Sequence, residues 1–144
     1  MAAYDLERIR EILPHRFPFL LVDRILSVEE NRCVGLKNFT GNEQFAQEYF
    51  GGRYTMQGVL QVEAMAQVAA FLLLDKVAGP GEIGLLALLD RVRFRRPAVP
   101  GDRLIFEVIL EKIRARAGRF RGVCRIDGRI ASEARFTCVL APKG

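Results

Sequence analysis

The sequence predicts an α+β fold in which a curved antiparallel sheet wraps around one long buried helix. Three observations lead there. Val59 to Ala78, following Gly58, are about 20 good helix formers that are apolar nearly all round, and such a helix has to be enclosed. Most of the chain beyond it alternates apolar and polar residues with the two-residue period of half-buried strands. No further helical pattern separates those strands, so they do not form βαβ units.

The 144 residues are read as one domain, residues 1–144, because no Pro/Gly/Ser linker or internal repeat divides them. Half the residues are hydrophobic, which excludes disorder and supplies a core without staples or metals. The first residues, MAAYDLERIREIL, are charged where a signal peptide needs an apolar run, so a cytoplasmic location is expected. The greasiest stretch, Ala64 to Leu74, is interrupted by Gln67 and is short of the roughly 20 apolar residues of a membrane span. No membrane crossing is expected. Cys33, Cys124 and Cys138 are odd in number, widely spaced and set in apolar segments, the pattern of buried reduced thiols. With His15 as the one histidine and no CxxC or HxxxH spacing, neither a metal nor another cofactor is expected.

In chain order, Asp5 is a fair N-cap for a first helix, with Leu6, Ile9 and Leu13 on one face and Pro14 as its stop. PHRFPF makes a turn. FLLVDRILSVEE from Phe19 reads as a strand, and Arg32 to Phe39 as its antiparallel partner across a polar turn at Glu29–Asn31. Gly41 to Gln57, with Gly51-Gly52 inside it, reads as an irregular loop of the kind that carries function. The long helix follows and is closed by Gly79-Pro80-Gly81. Strands are expected at Ile83–Leu89, Val92–Arg96, Asp102–Ile113, Arg119–Asp127 and Arg129–Leu140, with Asp127-Gly128 as a hairpin turn. The economical arrangement of these elements is the hot-dog architecture. A sheet of this size covers only part of the helix, so at least a dimer is expected.

Glu63 is the first chemical anomaly, because a carboxylate among Leu60, Val62, Ala64 and Ala66 is expensive to bury. It is either a carboxyl group of raised pKa, fit for acid, base or nucleophilic work, or a group satisfied by Gln67 one turn later. Gly58 is the second: a glycine at the head of the helix lets a ligand approach free N–H groups at the positive dipole end, or is an ordinary N-cap. Glu63 is about 7–8 Å further along the axis at 1.5 Å per residue, so a polarised carbonyl and a carboxyl group could meet one small substrate. His15, alone between two prolines, reads as structural. Arg93, Arg95 and Arg96 cluster before Pro97, and Arg114, Arg116, Arg119, Arg121 and Arg125 stud the next hairpin. They are a solvated face or a docking surface for an acidic partner. No nucleic-acid motif accompanies the basic charge.

LPHRFPFLLVDRI (Leu13–Ile25), GVLQVEAMAQ (Gly58–Gln67) and RFRRPAVPGD (Arg93–Asp102) stand in family order and spacing, and the sequence resembles the FabZ-type 3-hydroxyacyl-acyl-carrier-protein dehydratases of fatty-acid synthesis. The resemblance covers nearly the whole chain. It implies a hot-dog dimer assembled further into a trimer of dimers, an acyl tunnel at each dimer interface, an acyl-thioester substrate and the acidic acyl carrier protein as partner for Arg93, Arg95 and Arg96. It further implies elimination by a histidine and a glutamate across the interface. The glutamate is Glu63 here, and the histidine position, counted back from Gly58, is occupied by Tyr49. Gly51, Tyr54 and Gln57 stand where the resemblance calls for prolines, while Phe50, Gly52 and Gly58 fit. The resemblance thus gives Glu63 and Tyr49 as the catalytic positions and Gly58, Phe50 and Gln67 as substrate-binding ones. Tyrosine, with an ordinary pKa near 10, is a poor base, so weak or absent dehydration is expected of a homomer. Three functions stay open: a dehydratase with an altered site, a non-catalytic acyl-thioester-binding subunit paired with a His-bearing relative, and a hot-dog thioesterase using Glu63.

Overall fold

In the computed structural model, residues 4–43, 47–49, 53–77 and 81–142 are described, those at 47–49, 53–54 and 77 by their backbone alone. The first helix, α1 (Leu6–Ile12), begins where Asp5 caps it, the carboxylate accepting the Arg8 N–H at 3.1 Å. At its other end the Arg16 guanidinium folds back onto the carbonyls of Arg10, Leu13 and His15 at 3.0, 2.8 and 2.7 Å. These bonds satisfy helix-end carbonyls and fix the direction of the chain through residues 13–16.

Strands β1 (Arg24–Val28) and β2 (Arg32–Asn38) form the expected antiparallel pair, but Phe19 to Asp23 do not join it as strand. The reason is a competing partner for the backbone. Gln67 accepts the Leu21 N–H at 2.8 Å and donates to the Phe19 carbonyl at 2.8 Å, so these residues are bonded to the long helix instead, while the Asp23 N–H still donates to β2, at the Leu36 carbonyl. The loop at 41–57 is not wholly irregular either, for its backbone forms a small hairpin, β3 (Gln47–Tyr49) with β4 (Arg53–Thr55).

The long helix α2 (Gly58–Val77) is followed by β5 (Glu82–Phe94), β6 (Arg103–Arg114), β7 (Ala117–Ile126) and β8 (Arg129–Pro142). Where two strands are expected between Ile83 and Arg96 there is one, β5, irregular in register between Leu86 and Leu88 and again between Asp90 and Arg93, where Arg91 takes φ 52°. Bulges of this kind bend a strand without ending it. The sheet order is β1-β2-β6-β7-β8-β5, antiparallel throughout. At the β7–β8 turn Asp127 and Gly128 both have positive φ, 52° and 77°, as a two-residue hairpin of primed type requires.

The helix lies against β2, β5, β6, β7 and β8, and this enclosure is the hot-dog fold. By length and apolar content α2 would pass for a membrane span, yet its residues are mostly buried within the protein as a core helix. Close approach depends on missing side chains: a Cβ at Gly84 would lie 2.9 Å from the Ala70 Cβ, and one at Gly122 would lie 2.9 Å from the Met65 Sδ. Phe71, Phe106, Phe120 and Phe136 fill the core, each worth about 1.5–3 kcal/mol of burial. The three cysteines are buried and free, and burial pushes each thiol up to about 12.

Beyond Val59 near its start, the apolar surplus lies elsewhere than on the helix. From Val62 to Leu74 every helix residue but Glu63 is buried, because α1 and the 13–22 segment complete what the sheet leaves uncovered. Leu85, Leu88, Leu89 and Phe94 instead project from β5, an edge strand, and each is about half exposed.

Candidate active site

Glu63 and Gln67 occupy successive turns of α2, so their side chains meet on one face, and Gln67 Nε2 donates to Glu63 Oε2 at 3.1 Å. Both sequence readings of Glu63 are therefore realised: its carboxyl is hydrogen-bonded to Gln67, and it is also perturbed. Burial raises its pKa above the ordinary 4.5, and the Gln67 hydrogen bond opposes that rise without cancelling it. Gln67 is itself only 1% exposed and holds Phe19 and Leu21 with its remaining hydrogen-bonding capacity. A single amide thus orients Glu63 and fastens the strap that runs beside it.

That strap delivers the residue sequence reasoning set aside. His15 Nε2 stands 3.7 Å from Glu63 Oε2, and the two side chains are 19% and 22% exposed. His15 Nδ1 is buried and has no hydrogen-bond partner among the described residues. Burial, and secondarily the neighbouring Arg16 charge, lowers the imidazole pKa below 6.5. The two residues are 48 positions apart, and the contact exists only because α1 stops at Ile12 and Gln67 pins residues 19 and 21 to the helix. No periodicity or spacing reports such a contact; the one available signal is that His15 and Gln67 belong to the first two of the quoted motifs.

Gly58 heads α2 as expected, and the close approach it permits within this chain is by Phe94: a Cβ at Gly58 would lie 2.5 Å from that ring's Cδ1. A groove of about 520 Å³ opens there, lined by Gln57, Gly58, Val59, Phe94, Arg95 and Arg96 among others. Glu63 is not among its lining residues, so within one chain the structure gathers Glu63, Gln67 and His15 in one place and Gly58 with two of the arginines in another. Tyr49 is paired through its backbone with Arg53 in the β3–β4 hairpin, and its side chain lies outside the described residues, as does Phe50 altogether.

Arg93, Arg95 and Arg96 are all exposed. Arg95 binds Glu133 at 2.9 Å, whereas neither Arg93 nor Arg96 forms an ion pair among the described residues. The arginines of the β6–β7 hairpin behave differently. Arg121 and Arg125 reach Glu111 and Glu107 on the neighbouring β6 at 4.0 and 3.1 Å, Arg119 reaches across β8 to Asp90 on β5 at 3.5 Å, and Arg116 reaches Glu82. That face is an interleaved charge ladder whose exposed pairs each contribute little.

Comparison with known proteins gives the family. A family model described as a FabA-like domain matches residues 13–135, and the chain belongs to that family, within its FabZ-type group. It is 47% identical over 140 residues to a 3-hydroxyacyl-acyl-carrier-protein dehydratase FabZ of Bacillus pumilus, covering 96% of this chain and 97% of that one. It is 50% identical over 133 residues to the FabZ of Pelotomaculum thermopropionicum, covering 92% and 95%. Among solved structures, the dehydratase heterocomplex ApeI:P from Xenorhabdus doucetiae superposes with a TM-score of 0.81 at 19% identity over 94% of this chain and 91% of that one, which shows the shared fold.

Proposed function

We propose that this protein is a dehydratase of 3-hydroxyacyl thioesters carried by acyl carrier protein, acting in cytoplasmic fatty-acid biosynthesis with Glu63 as its acid/base carboxyl group. The observation that carries the reading is the state of Glu63: a carboxyl on the core helix, largely enclosed, raised in pKa by burial and held in one orientation by Gln67. Its family membership supplies the substrate class, since the relatives named above are FabZ dehydratases.

The chemistry follows from elementary requirements. Elimination of water breaks the Cα–H and Cβ–O bonds and forms the Cα=Cβ bond. One group removes the α-proton while charge gathers on the thioester oxygen, and another delivers a proton to the leaving hydroxyl. A carboxyl group whose pKa is raised toward neutrality performs either transfer better than an ordinary glutamate. Free N–H groups at the head of α2, opened by Gly58, favour the charge on the thioester oxygen. Phe50 and Gln67 complete the substrate contacts in this reading, and Tyr49 contributes a hydrogen-bond donor in place of a base.

Exposed Arg93 and Arg96, with Arg95 beside them, give the acidic carrier protein a surface to dock on. The apolar edge of β5 is the surface on which a second copy assembles, and three such dimers make the larger oligomer. A second reading rests on Tyr49: a His-bearing relative could pair with this chain and supply the histidine that position 49 lacks, while Glu63 comes from this one.

Mass spectrometry of a carrier-bound 3-hydroxyacyl substrate tests the reading. Loss of one water from the acyl group, without release of free thiol, is the expected result. Free thiol in place of the enoyl product would make the protein a thioesterase, and an unchanged substrate that reacts only when a His-bearing relative is added would establish the paired subunit.

A further inference from the structure

We propose that His15 is the second acid/base group of this site, forming with Glu63 a proton-sharing pair that acts on the substrate from within one chain. The inference rests on the dehydratase reading and supplies the group that Tyr49 does not. Its basis is geometric. The heads of the two side chains are 3.7 Å apart, too far for a direct hydrogen bond yet close enough for one hydroxyl oxygen to reach both at about 2.8 Å. Both remain partly open to the outside. The bonds that break, Cα–H and Cβ–O, are on adjacent carbons, so two groups this close reach both bonds from one face of the substrate.

A second observation points the same way. His15 Nδ1 is buried without a partner among the described residues, and an unsatisfied buried polar atom is costly. An apolar side chain on the strap would avoid that cost, and no packing role of an imidazole explains it. Nothing at Nδ1 locks the ring tautomer, so Nε2, the atom facing Glu63, is able to carry a lone pair.

The pair works while holding one proton. Neutral His15 Nε2 removes the α-proton, and protonated Glu63 gives its proton to the β-hydroxyl, which leaves as water as the double bond forms. The site is left as imidazolium beside carboxylate, and transfer of one proton from His15 Nε2 to Glu63 Oε2 restores the starting state. Burial favours that starting state, because it lowers the imidazole and raises the carboxyl. Among the described residues, the charged and titratable groups around the pair are Arg16 on the strap and Cys138 on β8. Arg16 stays charged throughout, its guanidinium turned onto backbone carbonyls. Cys138, pushed up to about 12, does not titrate in the neutral range.

His15 is the one histidine of the chain, so its imidazole signals in the NMR spectrum need no assignment. In the parent protein its titration should lie below 6.5 and move when Glu63→Gln removes the facing carboxyl; an unmoved titration overturns the pairing. The companion measurement is turnover of a 3-hydroxyacyl thioester by His15→Gln, with the pH profile of kcat. A loss of about 10²–10⁴ in kcat with KM little changed, and disappearance of one limb of the profile, is expected. Turnover and profile equal to the parent overturn the inference while leaving the dehydratase reading intact, provided Glu63→Gln is inactive. A parent that dehydrates nothing overturns both.

Discussion

Replacing Gln67 by leucine separates the structural from the chemical work of one buried amide. Leucine is close in volume, so the cavity term is small and the hydrogen bonds dominate. Three are lost: to the Leu21 N–H, the Phe19 carbonyl and Glu63. Leu21 is 4% exposed, and its amide is left buried without an acceptor, at about 1–3 kcal/mol. Phe19 and Glu63 are partly open and can turn to water, so they add little. For a chain of this length the sum lowers Tm by roughly 3–10 °C. The chemical effect has a definite sign: the Gln67 hydrogen bond holds the Glu63 pKa down against burial, so its removal raises that pKa further and shifts the corresponding limb of the pH–rate profile to higher pH. Differential scanning calorimetry and a pH profile of enoyl formation check both halves. An unchanged Tm with an unshifted profile would refute the claim that this amide fastens the strap and orients the carboxyl.

Other consequences are equally direct. A carboxyl whose folded pKa exceeds its unfolded value binds more protons folded than unfolded between the two, so it costs stability as pH rises through that window; Glu63→Gln should therefore be more stable than the parent at pH 7 by urea unfolding, with the difference vanishing below about pH 4. His15 carries the opposite linkage. Its lowered pKa makes the folded state lose stability as pH falls below 6.5, and His15→Gln should flatten that part of the curve. Gly84→Val forces a side chain into Ala70 of the core helix and should cost about 1–3 kcal/mol in the same unfolding assay. Arg93→Glu with Arg96→Glu should weaken binding of acyl carrier protein several-fold in a titration while leaving turnover of small thioester analogues unchanged.

Much of this fold was legible because its elements carry their own signals. Asp5 before Leu6, the all-round apolar run of α2 and the Asp127-Gly128 turn each state a local preference that packing then accepts. The misreadings fall where a long-range partner overrides local pattern. FLLVD has strand composition, but Gln67, 46 positions beyond Leu21, takes the Phe19 carbonyl and the Leu21 N–H. The break expected between Leu89 and Val92 is a bulge, because β8 pairs with β5 on both sides of it. The site divides along the same line. Glu63 stands out as a charge in an apolar helix, and Gln67 as its neighbour one turn on. His15 reads as an unremarkable turn residue until the strap is folded against α2. Nor does sequence reveal that half-exposed leucines gather on β5 while most of the helix is covered within the chain.

The most direct test of the central claim is the absorbance change as a 3-hydroxybutyryl thioester is converted to its crotonyl form by the parent protein and by Glu63→Gln. Conversion by the parent and its loss on replacing the one carboxyl oxygen by an amide nitrogen is the predicted result. Conversion that proceeds unchanged in Glu63→Gln would contradict the account, because the chemistry would then belong to a group other than the carboxyl held between Gln67 and His15.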